Sequence, residues 1–383
     1  MPQLVTGLPA AGILSPGYVV LDGGKIVAAG AGTPPGPADL VLPDGILAPG
    51  FVDLQVNGYF GEELMAADPE GWARVVRRLP ETGTTAFLPT FITAPLGQLA
   101  AALRTTASFR HDLPSGARVL GVHMEGPFIS PDRRGAHNPA WIVDPTEAAV
   151  TELLAAGAGL LRLVTLAAER PGALAAIARL TAAGVLASVG HTDATAAQVA
   201  QAADYGARMV THLFDAQRPL HHREPGVVGQ ALTDPRLTSG LIADLHHVSG
   251  PACLIAFRAA PGRIAIVTDA AANAGMPPGR YLLGGEPIEL PPGAGQPPVR
   301  ADGTLAGSGL RMDVAVANMV ASGVDLSVAV AAATSIPADL IKCPGLGRIA
   351  AGMAGDLVWL GPDLAARATW VGGQQVFADN SLC

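Results

Sequence analysis

Charge, aromatic rings and sulfur are all scarce in this 383-residue chain. Charged residues make up 15% of it, the formal net charge is -8, and its lysines are few, with Lys25 and Lys342 lying outside the apolar runs discussed below. Such a chain offers no broad basic face, so nucleic acid and membrane surfaces are not expected as partners, and any anionic ligand must be held by a local basic site. The three cysteines, Cys253, Cys343 and Cys383, lie far apart without a CxxC pair. That excludes a zinc knuckle and suits a reducing cytoplasm. No basic residue precedes Lys25, so a secretory leader is not expected. No apolar run reaches the ~18 residues of a membrane span. GxSxG and GxxxxGK[ST] are both missing, and Cys253 sits in an apolar helix-like run, "PACLIAFRAA". A serine or cysteine nucleophile and a nucleotide-binding P-loop are therefore disfavoured.

What the chain does have is apolar mass: 49% hydrophobic residues, punctuated by 47 glycines and 33 prolines. Residues 1–48 alternate short apolar pieces with Gly and Pro, as in "GYVVLDGGKIVAAG", and residues 344–383 read alike, as in "GRIAAGMAGDLVWL". Both ends read as strands and turns of one small β domain. Between them, in 49–343, eight apolar runs alternate with Ala/Leu-rich stretches of helical spacing: "FVDLQV", "TTAFLPT", "RVLGVHME", "LLRLVTL", "VLASVGH", "RMVTHLF", "TSGLIAD" and "RIAIVTDA". This alternation predicts a closed parallel (β/α)8 TIM-like barrel with a small β-sandwich domain formed by both termini. An open doubly wound sheet is the rival, but no GxGxxG follows the early strands. After the eighth run, "YLLGGEPIEL" and "PPVRADGTLA" predict an inserted hairpin, and two Ala-rich helices then lead to the C-terminal strands.

Polar residues gather where these runs end: Gln55 and Asn57, Glu125, His191, His212, Asp244 and Asp269. Alone, each is compatible with packing or capping; Asp269 before "AAN" could simply cap a helix. In a barrel, however, strand ends converge on one axis. One Glu and two His from three strands suit a divalent metal with an open water position, and a nearby Asp can take and return protons. His123 shares a strand face with Glu125, either packed in the barrel or orienting a ligand.

The residues then resemble a known family. "APGFVDLQVNG" and "GRIAAGMAGDLVWL" look like the opening and closing signatures of the amidohydrolase superfamily. "GVHMEGPF", "RRGAHNP", "SVGHTDAT", "THLFDAQRPLHHREPG", "LIADLHHV", "VTDAAANAGMPPGRYLLGG" and "DGTLAGSGLRMDVAV" resemble, in order, the N-acetylglucosamine-6-phosphate deacetylases. The resemblance implies hydrolysis of the acetamide of N-acetylglucosamine 6-phosphate to glucosamine 6-phosphate and acetate. It implies Glu125, His191 and His212 as metal ligands, Asp269 as general base and acid, and His137 as hydrogen-bond donor to the acetyl carbonyl. Arg223 and His247 would bind the phosphate, and backbone groups at Ala136, Asp215, Ala216, Leu305, Ala306 and Gly307 would complete the pocket. One divalent ion per chain is implied, zinc first, with iron, cobalt or manganese also suited to the ligands. A cytoplasmic homodimer acting on a small amino-sugar phosphate is expected.

Three departures stand out. Much of the superfamily has His-x-His after the first strand; here Gln55-Val56-Asn57 replaces it, so a second metal site there is expected to be vacant. Asp215 stands where the family usually has Asn, which puts a carboxylate near a phosphate and leaves the preferred sugar epimer open. Leu245 stands where Gly is common, so either His246 or His247 could contact substrate. Another amidohydrolase acting on N-acetylgalactosamine 6-phosphate or an N-acyl amino acid is the competing enzymatic reading. A non-catalytic sugar-phosphate sensor on a decayed barrel is the remote one.

Overall fold

The computed structural model describes residues 3–5, 12–293 and 295–379. All eight runs form strands, and each pairs in parallel with the next in sequence. They are Phe51–Val56, Thr84–Ile92, Val122–Glu125, Leu161–Leu166, Leu186–Val189, Met209–Val210, Thr238–Ile242 and Ile264–Val267. Five of the eight are buried along their whole length, and the other three carry one half-buried residue each. The barrel closes at the C-terminal ends of the first and eighth strands, where Val56 bridges Ala270 and the Asp269 N–H donates to the Gln55 carbonyl at 2.9 Å. Between strands run helices with caps written in the sequence. Asp68 accepts from the Gly71 N–H at the start of Pro69–Arg78, and Thr195 with Gln198 forms a capping box on Ala196–Asp204.

The barrel interior is not purely apolar. His123 is fully buried, its Nε2 2.8 Å from Thr165 Oγ1 and its Nδ1 3.3 Å from Thr90 Oγ1. Thr165, Thr211 and Ser188 continue this hydroxyl chain at 2.7 and 2.6 Å. Burial pushes the His123 pKa down to about 4, so the ring is neutral and each hydroxyl can donate or accept as its neighbour requires. His123 is thus a hydrogen-bonded core residue.

The terminal sheet has the order Ile13–Leu14, Gln3–Val5, Ile46–Pro49, Leu357–Leu360, Ala366–Val371, Gln374–Ala378. The hairpin Gly17–Asp22/Lys25–Ala31 joins it through Ile26, which exchanges backbone hydrogen bonds with Met353 and Gly352. A small core fills the space between, built on Ile26, Ile349, Leu357, Trp359 and Trp370. Asp356 and Asp313 tie this unit to the barrel. Arg118 grips both carboxylate oxygens of Asp356 at 3.0 Å, and Asp313 accepts from Arg311 and from the Ala366 N–H.

The expected inserted hairpin is present as Gly279–Leu283 and Glu286–Leu290. Where two Ala-rich helices were expected before the last strands, there are three: Met312–Ala321, Leu326–Ala333 and Ser335–Leu340. Pro337 has no N–H to continue the ladder from Ala333, so the second stretch breaks at Thr334. Among the described residues no helix is long and apolar enough to cross a membrane.

Trp359 is 1% exposed, and its Nε1–H donates to the Asp44 carbonyl at 2.8 Å. Trp359→Ala should cost about 3–5 kcal/mol and leave that carbonyl unpaired. Denaturant titration followed by circular dichroism should show the midpoint falling accordingly; an unchanged midpoint would contradict this packing.

Candidate active site

The strand ends meet at one cavity. Its wall includes Asn57, Glu125, Ala136, His137, His191, His212, Asp215, Ala216, His247, Asp269, Leu305 and Gly307. Glu125 closes the third strand, and His191, His212 and Asp269 follow the fifth, sixth and eighth. The last three have φ of 46°, 27° and 51°, in the left-handed region that non-glycine residues rarely adopt. Three such residues at one focus mark a place where side-chain direction overrides backbone comfort.

Glu125, His191 and His212 form a buried triangle. Glu125 Oε1 lies 3.2 Å from His191 Nε2 and 2.9 Å from His212 Nε2, and the two Nε2 atoms are 3.1 Å apart. Each ring is fixed from behind. His191 Nδ1 faces the Arg133 carbonyl at 2.9 Å, and His212 Nδ1 faces the Asp215 carbonyl at 3.2 Å. A carbonyl only accepts, so both Nδ1 atoms carry the proton and both Nε2 lone pairs point into the triangle. Two lone pairs and a carboxylate oxygen at this spacing fit a cation between them; ligand bonds of about 2.0–2.1 Å in a tetrahedral set leave donors about 3.3–3.4 Å apart. Burial raises the Glu125 pKa, but when the rings also carry a proton at Nε2 their hydrogen bonds and charge outweigh it and hold the carboxyl well below its usual range.

Gln55 and Asn57 aim nitrogen at the neighbouring carboxylates. Gln55 Nε2 donates to Glu125 Oε1 and Asp269 Oδ1, both at 3.0 Å, and Asn57 Nδ2 donates to Asp269 Oδ1 at 2.6 Å. Amide nitrogens so engaged are donors, not metal ligands. Among the described residues, the triangle is the one group of three or more His, Cys, Asp or Glu able to hold a metal. Asp269 is pushed up to about 6, by burial first and by the Glu125 charge second.

His137 stands beside the triangle on the loop that begins at Gly126-Pro127. Its Nδ1 is 2.7 Å from Thr93 Oγ1 and accepts from the Thr93 N–H at 3.4 Å, so Nε2 carries the hydrogen toward the cavity. Burial, with the nearby His191, holds its pKa well below the ordinary value, so it is a neutral donor. Gly126 is required here: its φ is 86°, and a Cβ would collide with Thr93 Oγ1. Thr93 itself was not singled out from the sequence, because no polar residue ending the second run looked like chemistry.

Asp244 sets His246 and His247 apart, with His247 on the cavity wall. Its Oδ1 accepts from both backbone N–H groups, its Oδ2 sits 2.7 Å from His247 Nδ1, and His246 is left exposed. Burial lowers the His247 pKa, but the Asp244 carboxylate outweighs it and raises it. Leu245 has a φ of 66°, the conformation for which glycine is suited. Ala306 is fully buried behind Leu305 and Gly307, off the cavity wall. Arg223 is also off the wall. It is exposed, with Nη1 3.1 Å from His222 Nε2, and Glu224 turns away from it to accept from the Ala196 and Gly226 N–H groups. Cys253 is buried, which pushes its thiol up to about 12, so it is no nucleophile.

A barrel with a Glu–His–His triangle at its C-terminal face defines a class, and the chain belongs to the Amidohydrolase family, whose profile matches residues 46–376. Relatives that it resembles over most of its length include amino-sugar phosphate deacetylases. The N-acetylgalactosamine-6-phosphate deacetylase of Escherichia coli O157:H7 is 39% identical over 332 residues, covering 86% of this chain and 87% of that one. The N-acetylglucosamine-6-phosphate deacetylase of Danio rerio is 38% identical, covering 87% of this chain and 84% of its own. Among solved structures, a mutant N-acetyl-D-glucosamine-6-phosphate deacetylase from Mycobacterium smegmatis, in complex with N-acetyl-D-glucosamine-6-phosphate, superposes with a TM-score of 0.92. It is 37% identical and covers 98% of each chain.

Proposed function

We propose that this chain hydrolyses the acetamide of N-acetylglucosamine 6-phosphate, releasing acetate and glucosamine 6-phosphate. The observation that carries this reading is the convergence, in one cavity, of the Glu125–His191–His212 triangle, a carboxyl tuned near neutrality and a neutral imidazole donor, in a chain similar to such deacetylases throughout. A divalent ion held by the triangle, zinc by preference, would supply Lewis acidity and bring the pKa of water toward neutrality.

The chain's own residues do the rest. Gln55 and Asn57 both engage Asp269 Oδ1, which leaves Oδ2 for the proton. Asp269 takes that proton from the attacking water and returns it to the departing amine, which would otherwise be a poor leaving group. His137 Nε2–H donates to the carbonyl oxygen as negative charge builds on it. His247 and Arg223 serve the phosphate, His247 from the wall and Arg223 from the loop that bears Asp215 and Ala216. Hydrolysis of N-acetylgalactosamine 6-phosphate is the second reading, favoured by the relative of that name.

We read the protein as a cytoplasmic homodimer. Leu220, Leu245 and Leu305, which are 55%, 39% and 36% exposed on the loops carrying cavity residues, support a second copy packing there. The division into 1–48 and 344–383 around a barrel at 49–343 is supported by Ile46–Pro49 pairing with Leu357–Leu360 just before the first barrel strand.

Elemental analysis should find about one divalent ion per chain, and a chelator should abolish turnover that added metal restores. Two ions per chain at full activity would reject this ligand set. Asp269→Asn, loaded with metal, should bind substrate but lose about 10²–10⁴ in kcat; near-normal turnover would remove Asp269 from its role. Arg223→Ala should raise KM for the phosphorylated substrate, with a loss of about 10- to 150-fold in kcat/KM. Unphosphorylated N-acetylglucosamine should suffer much less, and equal losses on both would show that Arg223 only holds its loop.

A further inference from the structure

The two imidazoles of the triangle are held from behind by backbone carbonyls, and a carbonyl can aim a ring only if its own loop is fixed. The Arg133 carbonyl that faces His191 Nδ1 belongs to the loop after the third strand. The Asp215 carbonyl that faces His212 Nδ1 belongs to the loop after the sixth. Both loops are gripped by one carboxylate that lies off the cavity wall, that of Asp193. Its Oδ1 accepts from Arg133 Nε at 2.8 Å and lies 2.7 Å from Arg133 Nη2, and its Oδ2 accepts from Arg218 Nη2. Arg218 stands on the loop of Asp215, and its N–H donates to the Thr192 carbonyl at 3.3 Å.

Asp193 is itself anchored. Glu169, after the fourth strand, accepts from the Asp193 N–H at 2.7 Å and from Thr192 Oγ1. The contacts close a ring: Asp193 follows His191 by two residues and grips Arg133, and the Arg133 carbonyl returns to His191. Ser130, on the loop of Arg133, donates its N–H to the His191 carbonyl at 2.8 Å. One loop thus holds both the main chain and the ring of a residue whose φ is 46°. As a stabilising device the cluster is weak. Arg133, Arg218 and Asp193 have side chains 33%, 34% and 29% exposed, and ion pairs that wet contribute little to folding. What it can govern is direction, because Arg133 approaches through two nitrogens, and partners behind a metal-binding imidazole decide how well its lone pair is aimed.

We propose that Asp193 is a positioning residue for the metal: by clamping Arg133 and Arg218 it holds the two carbonyls that aim His191 and His212 at the ion. This inference rests on the metal site of the reading above. The zinc affinity of the full chain, stripped of metal, would be measured by competition with a chromophoric chelator, beside the melting temperature of the metal-free protein. Asp193→Ala should weaken zinc binding about 10- to 100-fold. The metal-free melting temperature should move by no more than about 3 °C. Asp193→Asn, which keeps one acceptor oxygen for two arginines, should fall between wild type and Asp193→Ala in zinc affinity. Adding Arg133→Ala to Asp193→Ala should alter the affinity by less than about twofold, because the clamp is already gone. Arg133→Ala alone should weaken zinc binding about 10-fold, and it reads the clamp even if Asp193→Ala fails to fold. A carboxylate that merely offset cationic charge near the ion would give the opposite sign, since losing Arg133 would then favour zinc. Unchanged or tighter binding in Arg133→Ala, recovered affinity in the double variant, or a loss in Asp193→Ala matched by a collapse of the metal-free melting temperature would each overturn the inference. Wild type that binds no zinc would reject the metal site itself, and the inference with it.

Discussion

The structure depends on how its first and eighth barrel strands meet. One hydrogen bond, from the Asp269 N–H to the Gln55 carbonyl, both closes the barrel and sets Asp269 beside the amides that hold it. Asp53 reinforces that seam from below, accepting from Thr268 Oγ1 at 2.6 Å and from the Thr268 and Gln55 N–H groups at 3.2 Å. Gln55 then reaches across to Glu125, so the seam, the triangle and the candidate proton carrier form one connected set. Such networks are rigid because every buried polar atom that loses its partner carries a desolvation penalty of about 1–3 kcal/mol.

Much of this was legible in the sequence because strands of a parallel barrel are buried on both faces and read as continuous apolar runs. Glu125, His191, His212 and Asp269 were visible as polar residues interrupting those runs at one end. What the sequence left open were questions of direction. His123 shares a strand with Glu125, and only the positions of Thr90 and Thr165 on neighbouring strands assign it to the core. His246 and His247 are adjacent, and only the Asp244 turn separates the exposed ring from the one on the cavity wall. Thr93 acts through a residue 44 positions away, and no local pattern could announce that. Arg223 lies on an exposed turn off the cavity wall, because the loop after the sixth strand leaves the cavity beyond Ala216, so its proposed phosphate role rests on its motif.

The histidine–hydroxyl layer under the site shows a related economy of charge. His123 is kept neutral by burial and its neighbours are hydroxyls, so the barrel floor presents polar contacts without adding charge below the Glu125 carboxylate. The layer itself thus places no charge beneath the triangle.

The terminal sheet has a consequence for how the molecule is made. Gln3–Val5 pairs with Ile46–Pro49, and the next strand in that sheet is Leu357–Leu360, more than three hundred residues later in synthesis. A ribosome must therefore deliver the whole barrel before Ile46–Pro49 meets its second permanent neighbour. During elongation, the Ile46–Pro49 edge stays open to any strand that reaches it first, and loop-closure entropy favours nearer partners. The terminal sheet can thus be completed only after the barrel has been synthesised, when the final strands seal that edge.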